Sequence, residues 1–310
     1  MHHFFVDTYH EGATPLRWEQ SGDSLIDLFP IPDHARFSPN RQFTQWDVAI
    51  VVPPGALGSK VTVRLATLNN CWNGHLNAAM RHEPVTAVVC ADGGSWQGLA
   101  GRRSETPGFE VEYDLELRTP RIRFAHIVPY PPSRLLALLQ RSAATPNARC
   151  YPIGATVEGR PLEVLEVGNP AASHHVFLRA RAHPWETGGS WLIEGLVEFL
   201  LSPGAVARDI LADMRFSLMP MANTDGVHRG MTRFTVTGID LNRGWSRDTP
   251  HDPVLAPENA CLQSWFDSRR RQGDLPCLAI CIHNDDDGKL HMAHPREHGE
   301  AYAARMVHLE

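Results

Sequence analysis

The residues best suited to chemistry stand at His183 and Glu186, in the run Arg179-Ala180-Arg181-Ala182-His183-Pro184-Trp185-Glu186-Thr187. An imidazole and a carboxylate are donors that zinc prefers, and a catalytic zinc takes three protein ligands and leaves its fourth position to water. The pair therefore needs one distant partner. Since the chain carries 17 histidines, HxxE alone is weak, and the setting has to decide. Val176-Phe177-Leu178 before the pair reads as a buried strand, and residues 188–201 after it have the apolar spacing of a helix. A strand-end turn is where α/β proteins place their sites.

The expected third ligand is His283. It follows the apolar run Leu275–Ile282, so it stands at a strand end as His183 does. His291 and His294 compete for the role from a more polar stretch. Asp285, Asp286 and Asp287 could hold Ca²⁺, but their spacing is not that of an EF-hand loop, and a solvated turn is the stronger reading.

Between the two halves of this site come Asn223-Thr224-Asp225-Gly226, then Arg229 and Arg233, then Asp240-Leu241-Asn242-Arg243. The order HxxE, N-x-D-G, an Arg, D-x-N-R and an apolar strand ending in His resembles the M14 zinc carboxypeptidases. Leu241-Asn242-Arg243, with Arg233 nine residues before the Asn, resembles the cytosolic carboxypeptidase branch. Phe124-Ala125-His126-Ile127-Val128-Pro129-Tyr130 is similar to the end of that branch's N-terminal β domain. The resemblance runs from about residue 20 to the end of the sequence.

It implies one Zn²⁺ per chain on His183, Glu186 and His283, a substrate's terminal carboxylate held by Asn242 and Arg243, and a scissile carbonyl polarised by Arg233. Chemistry supports these roles independently. A guanidinium offers a bidentate fork to a carboxylate, and a second one beside a metal stabilises the oxyanion of peptide hydrolysis. Taken singly, Asp240 and Arg243 read as a structural ion pair on a loop; three amide or basic groups in order between zinc ligands outweigh that account. Arg229 lies off the family spacing. Asp225 suits stabilisation of the Gly226 turn better than acid–base work. Arg181 fits a contact with a nearby carboxylate or a charge on the strand face.

The resemblance also calls for a general-base Glu on a later strand and a Tyr on a mobile loop. Beyond His283 the glutamates are Glu297, Glu300 and Glu310, and Tyr302 sits in a helical pattern that reaches the last residue. None suits either part, so the general base is not present in the chain and the catalytic domain reads as truncated. A chain complete in this form would leave an apolar sheet edge open and lack a proton acceptor.

The elements that must carry these residues divide the chain. Residues 1–130 read as an N-terminal antiparallel β-sandwich domain, with strand runs at 46–52, 60–65, 85–90, 109–117 and 121–128. Phe109, Val111, Tyr113, Leu115 and Leu117 share one face, and Glu110, Glu112, Asp114 and Glu116 the other, where solvation is the expected fate. Trp18, Trp46, Trp72 and Trp96 are expected in the core. Residues 131–150 read as a helical linker, capped by Ser133 and apolar through Leu135, Leu136, Leu138 and Leu139. Residues 151–310 read as an α/β carboxypeptidase-like domain with a mixed sheet flanked by helices: strands at 162–167, 175–180, 215–221 and 275–282, and helices at 205–214 and 257–270.

Composition sets outer limits. With 310 residues, 43% of them hydrophobic and 21% charged, each half can bury a core. A formal charge of -6 argues against nucleic acid or a polybasic membrane surface as partner. No apolar stretch has the length of a membrane span, and the N-terminus lacks the pattern of a signal peptide. Six cysteines without a CxxC pair fit reduced thiols and a cytoplasmic setting, with Cys277 and Cys281 as packing residues. The resemblance implies a zinc metallocarboxypeptidase that removes C-terminal amino acids from peptides or proteins, and it points to acidic residues such as glutamate as candidate substrates. A related zinc amidoacylase or deacylase and an inactive zinc- and peptide-binding module are the alternatives.

Overall fold

The computed structural model describes residues 2–34, 38–78, 85–91, 93–245 and 249–284. The first half supplies β1 (Phe5–Asp7), β2 (Leu16–Gly22), β3 (Leu25–Pro30), β4 (Asp47–Val51), β5 (Lys60–Ala66), β6 (Asn69–Trp72), β7 (His75–Ala78), β8 (Thr86–Ala91), β9 (Gln97–Ala100), β10 (Arg102–Arg103), β11 (Phe109–Glu116) and β12 (Arg121–Ala125). One sheet runs β1-β4-β12-β8-β9 and a second β10-β11-β5-β3-β2. Their apolar faces meet in one core, where Ile26, Leu28, Val63, Leu65, Tyr113 and Leu115 pack with Val48, Ile50, Ile122 and Phe124 around Trp46.

The sheets are not wholly antiparallel as expected: β3 and β5 run parallel, Leu25 opposite Thr62 through Leu28 opposite Leu65. The chain leaves β3, gives β4 to the opposite sheet and returns to β5, and a crossover of that length permits a parallel pair. On β11 the expected alternation holds. Val111, Tyr113 and Leu115 are buried, while the acidic face takes Arg103 on Glu110 and Arg102 on Glu112 and Asp114.

The second half supplies α1 (Pro132–Ala143), β13 (Ala148–Ala155), β14 (Pro161–Val167), β15 (His174–Ala180), α2 (Gly188–Leu200), α3 (Ala205–Asp213), β16 (Met214–Met219), α4 (Thr224–His228), α5 (Pro257–Arg271) and β17 (Leu278–Ile282). The sheet order is β13-β14-β16-β15-β17. It is mixed: β13, β14 and β16 pair antiparallel, while β15 pairs parallel with β16 and β17. Because side chains alternate across a strand, β15 sends Val176 and Leu178 into a core with α1 and α2, and Phe177 into another with Leu262 and Trp265 of α5. No single helix among the described residues is long and apolar enough to cross a membrane.

Several local expectations change. Helix α1 starts at Pro132 behind Pro131, without a side-chain cap, so Ser133 is inside the helix instead of capping it. Proline serves at a helix start because its missing N–H needs no partner there. Leu136 is 55% exposed and leaves the apolar side to Leu135, Leu138 and Leu139, which join the core of β14–β16. Within 131–150, residues from Ala148 onward begin a strand that pairs with β14. Cys277, just before β17, and Cys281, on β17 at the edge of the sheet among the described residues, are exposed instead of packed, and all six thiols are free.

Candidate metal centre

Two strand ends deliver the expected ligands. β15 stops at Ala180, and Arg181 turns the chain with a left-handed φ of 57°, a conformation that costs a non-glycine residue about 1 kcal/mol or more. Its buried guanidinium donates to the Tyr130 carbonyl at 3.2 Å rather than to a carboxylate. Burial lowers its pKa to about 9, with the nearby Glu186 charge opposing. Helix α2 then begins on the ends of β15 and β17. A Cβ on Gly189 would lie 2.8 Å from Ala180 Cβ and 3.2 Å from Ile282 Cγ2, so only glycine lets the helix sit that close. Gly226 of the N-x-D-G run has the same purpose, since its Cβ would meet Pro184 Cγ at 2.4 Å.

His183, Glu186 and His283 come together. Glu186 Oε1 is 2.7 Å from His183 Nδ1, and Oε2 is 2.7 Å from His283 Nδ1. One donor atom from each residue lies within 4.8 Å of the others. His183 and Glu186 are 3% and 4% exposed. A buried carboxylate whose two oxygens each face an imidazole nitrogen is a donor set that fits zinc. The far side of His183 fits as well: Nε2 stands 3.1 Å from Asp240 Oδ1, which favours a proton on Nε2 and leaves the Nδ1 lone pair to a metal. Burial pushes the Glu186 carboxyl up, yet the hydrogen bonds from His183 and His283 hold it below the usual range. His283, despite burial, is raised to about 10 by the Cys281 thiol and Glu186.

Asp240 connects this cluster to the basic residues. Arg233 Nε and Nη2 both lie 2.8 Å from its Oδ2, and the Asn242 N–H donates to its Oδ1 at 2.9 Å. Against the pull of burial, the His183 bond and the Arg233 charge hold Asp240 well below the usual carboxylate range. The loop pair weighed from sequence, Asp240 with Arg243, is thus replaced by Asp240 with Arg233. Arg243 is exposed and its Nη1 donates to the Asn242 carbonyl at 3.0 Å. The loop is pinned at Leu241, whose carbonyl accepts from Arg179 Nη2 at 3.1 Å, Asn259 Nδ2 at 3.1 Å and Trp245 Nε1 at 2.9 Å.

The other candidates fall elsewhere. Arg229 turns to Glu158. Asp225 holds the β13–β14 turn, accepting from Thr156 Oγ1 at 2.7 Å and the Glu158 N–H at 2.9 Å, while Asn223 holds the Gly226 turn by accepting its N–H at 3.0 Å. Asp285, Asp286, Asp287, His291, His294, Glu297, Glu300, Tyr302 and Glu310 lie outside the described residues. Sequence reading missed the N-terminal sandwich's part in the site. Asp33 Oδ2 accepts from the Arg233 and Phe234 N–H groups at 2.5 and 3.0 Å. The Trp72 ring lies 5.0 Å from the Arg233 guanidinium carbon and 5.6 Å from that of Arg243. Neither contact leaves a sequence signal, because nothing in the spacing relates residues so far apart.

A family model described as zinc carboxypeptidase matches residues 135–276. Cytosolic carboxypeptidase 6 of Mus musculus is 31% identical over 137 residues, 41% of this chain and 25% of the relative. Cytosolic carboxypeptidase 1 of Homo sapiens is 42% identical over 90 residues, 29% of this chain and 7% of the relative. The chain thus spans a minor part of these relatives' length. Among solved structures, a metallo-carboxypeptidase from Burkholderia cenocepacia superposes with a TM-score of 0.77 at 22% identity, over 97% of this chain and 78% of that one. One from Pseudomonas aeruginosa superposes with a TM-score of 0.75 at 24% identity, over 91% and 70%. The fold is therefore carboxypeptidase-like.

Proposed function

This chain belongs to the zinc carboxypeptidase family, and from that premise we propose that it belongs to a metallocarboxypeptidase acting on the free C-terminus of peptides or proteins. The observation that carries the reading is the convergence of His183, Glu186 and His283, tied through Asp240 to Arg233. His183, Glu186 and His283 would hold one zinc ion per chain. Zinc bound there supplies Lewis-acid polarisation and a lowered water pKa. Asp240 orients the His183 imidazole and aims the Arg233 guanidinium, which donates to the scissile carbonyl oxygen where negative charge develops. Asn242 and Arg243 select a chain that ends in a carboxylate.

Acidic C-terminal residues are the first substrates to try. The Arg233 and Arg243 guanidiniums stand together over the Trp72 ring, and only Arg233 is paired with Asp240, so the site carries local positive charge that complements a peptide's acidic end. A cytoplasmic setting suits free thiols and the names of the relatives. The proposed division is a sandwich over 1–130 and an α/β part reaching to 310, joined through 131–150, whose α1 helix and first β13 residues pack on the α/β sheet.

The test pairs metal analysis with amino-acid release from short glutamate-ended peptides, each with a free or an amidated C-terminus. One zinc per chain and release from the free form alone are expected. Absence of zinc, or equal release from both forms, sinks the reading. Zinc with peptide binding and no release would favour the binding module instead.

A further inference from the structure

Resting on the reading of Asn242 and Arg243 as the carboxylate site, we infer that the N-terminal β-sandwich supplies a wall of the peptide-binding site, with Trp72 the residue that positions Arg243. Trp72 ends β6, and the β6–β7 hairpin carries it outward through a two-residue Asn73-Gly74 turn. Both turn residues take left-handed φ values, 49° and 80°, the geometry an Asn-Gly hairpin favours. The hairpin is tied to its own half by the Arg41–Cys71 bridge, with backbone bonds of 2.9 Å in both directions. The tip is therefore a fixed projection, and its aromatic ring lies within cation–π reach of two guanidiniums.

The two arginines differ in what else holds them. Arg233 is gripped on Nε and Nη2 by Asp240, and its backbone N–H by Asp33. Arg243 is exposed, and among the described residues its guanidinium is supported by the Asn242 carbonyl and the Trp72 ring. A long cationic side chain without such support loses rotamer freedom on binding a carboxylate. Trp72 removes part of that cost by holding the guanidinium near its working position, and its half-buried ring gives the end of the bound chain an apolar surface. The sandwich also locks the loop that precedes this pair, since Gln45 N–H donates to Thr232 Oγ1 at 3.2 Å beside Arg233.

The experiment measures binding of a glutamate-ended peptide, free and amidated, to the zinc-loaded full chain and to Trp72→Ala, Trp72→Phe, Arg243→Ala and the Trp72→Ala/Arg243→Ala double variant. Zinc content and thermal midpoint are checked alongside. Wild type should prefer the free carboxylate. Trp72→Ala should weaken that binding by about two- to thirtyfold, the range of one cation–π contact, and Trp72→Phe should recover part of it. The amidated peptide should lose less. In the double variant the losses should fall short of additive, because Trp72 acts through Arg243. Unchanged binding in Trp72→Ala, or fully additive losses, overturns the inference while leaving the carboxypeptidase reading intact. A wild type that binds amide and carboxylate alike removes that reading, and this inference with it.

Discussion

The His126 imidazole lies flat against the Trp185 indole, centroids 5.5 Å apart and planes 8° apart, and stacks on Trp46 with its other face at 4.6 Å. Trp46 is the centre of the sandwich core, and Trp185 stands between His183 and Glu186, the two candidate ligands of the HxxE turn. The three rings form one continuous contact from the sandwich to the metal centre. Burial lowers His126 to about 4, so in the folded state the ring is neutral between that value and its ordinary pKa.

Acidification should therefore weaken the protein through His126. Between about pH 6.5 and pH 4 the unfolded chain takes a proton on this ring and the folded chain does not, so stability rises with pH across that window. A displacement from 6.5 to about 4 corresponds to about 3 kcal/mol at the acid end. His126→Phe keeps a flat ring between the two indoles and has no proton to take. Urea unfolding at pH 7 and pH 4.5 should show a smaller loss for the variant than for the wild type; equal losses would remove His126 as the cause.

Asp240 should control metal affinity without being a ligand. With its Oδ1 on His183 Nε2 and its Oδ2 on Arg233, Asp240→Ala frees the ring to rotate or change tautomer and releases the guanidinium. Partners of this kind are worth about 10- to 100-fold in metal affinity. Competition with a chelator should register that loss while His183→Ala, Glu186→Ala or His283→Ala abolishes stoichiometric binding. A wild-type zinc affinity in Asp240→Ala would show that the contact is incidental.

How much of this was legible beforehand depended on range. The meeting of His183, Glu186 and His283 could be read because His183 and His283 each follow an apolar run that periodicity identifies as a strand, Glu186 stands three residues beyond His183, and parallel neighbours β15 and β17 bring such ends together. Strand β11 was legible because one face is apolar throughout. The parallel β3–β5 pair was not, since strand direction follows from which sheet the intervening β4 joins. Nor was the partner of Asp240: Arg233 and Arg243 are equally basic and close in sequence, and only the packed loop, with Leu241 pinned on three donors, separates them. Asp33 and Trp72 belong to the same class of contact, made across the chain by residues of ordinary local context.

Gly226 offers a test of the close approach between α4 and the HxxE turn. An added Cβ would sit 2.4 Å from Pro184 Cγ and 2.7 Å from Asn223 Oδ1. One atom is part of a stiff ring and the other caps the helix, so neither yields freely. Gly226→Ala should destabilise by about 1–3 kcal/mol, the cost of overpacking, and should displace the turn enough to lower zinc affinity. A variant as stable as the parent, with unchanged zinc affinity, would show that the turn adjusts without strain.

Glu258 carries the opposite pH signature. It lies in the first turn of α5, 1% exposed, and its two oxygens have no hydrogen-bond partner of good geometry among the described residues. Burial, with Asp225 adding repulsion, raises its pKa to about 6 against the relief given by Arg179. A carboxyl raised in the folded state destabilises once it must ionise, so the penalty is full above about pH 6 and fades as pH falls towards 4.5. The displacement from 4.5 to about 6 is worth about 2 kcal/mol. Glu258→Gln keeps the shape and removes the charge, so it should stabilise the chain by up to that amount at pH 8 and give little at pH 4.5. Unfolding curves at the two pH values separate the cases: a gain that is the same at both would mean that packing, not the buried charge, is what the substitution changes.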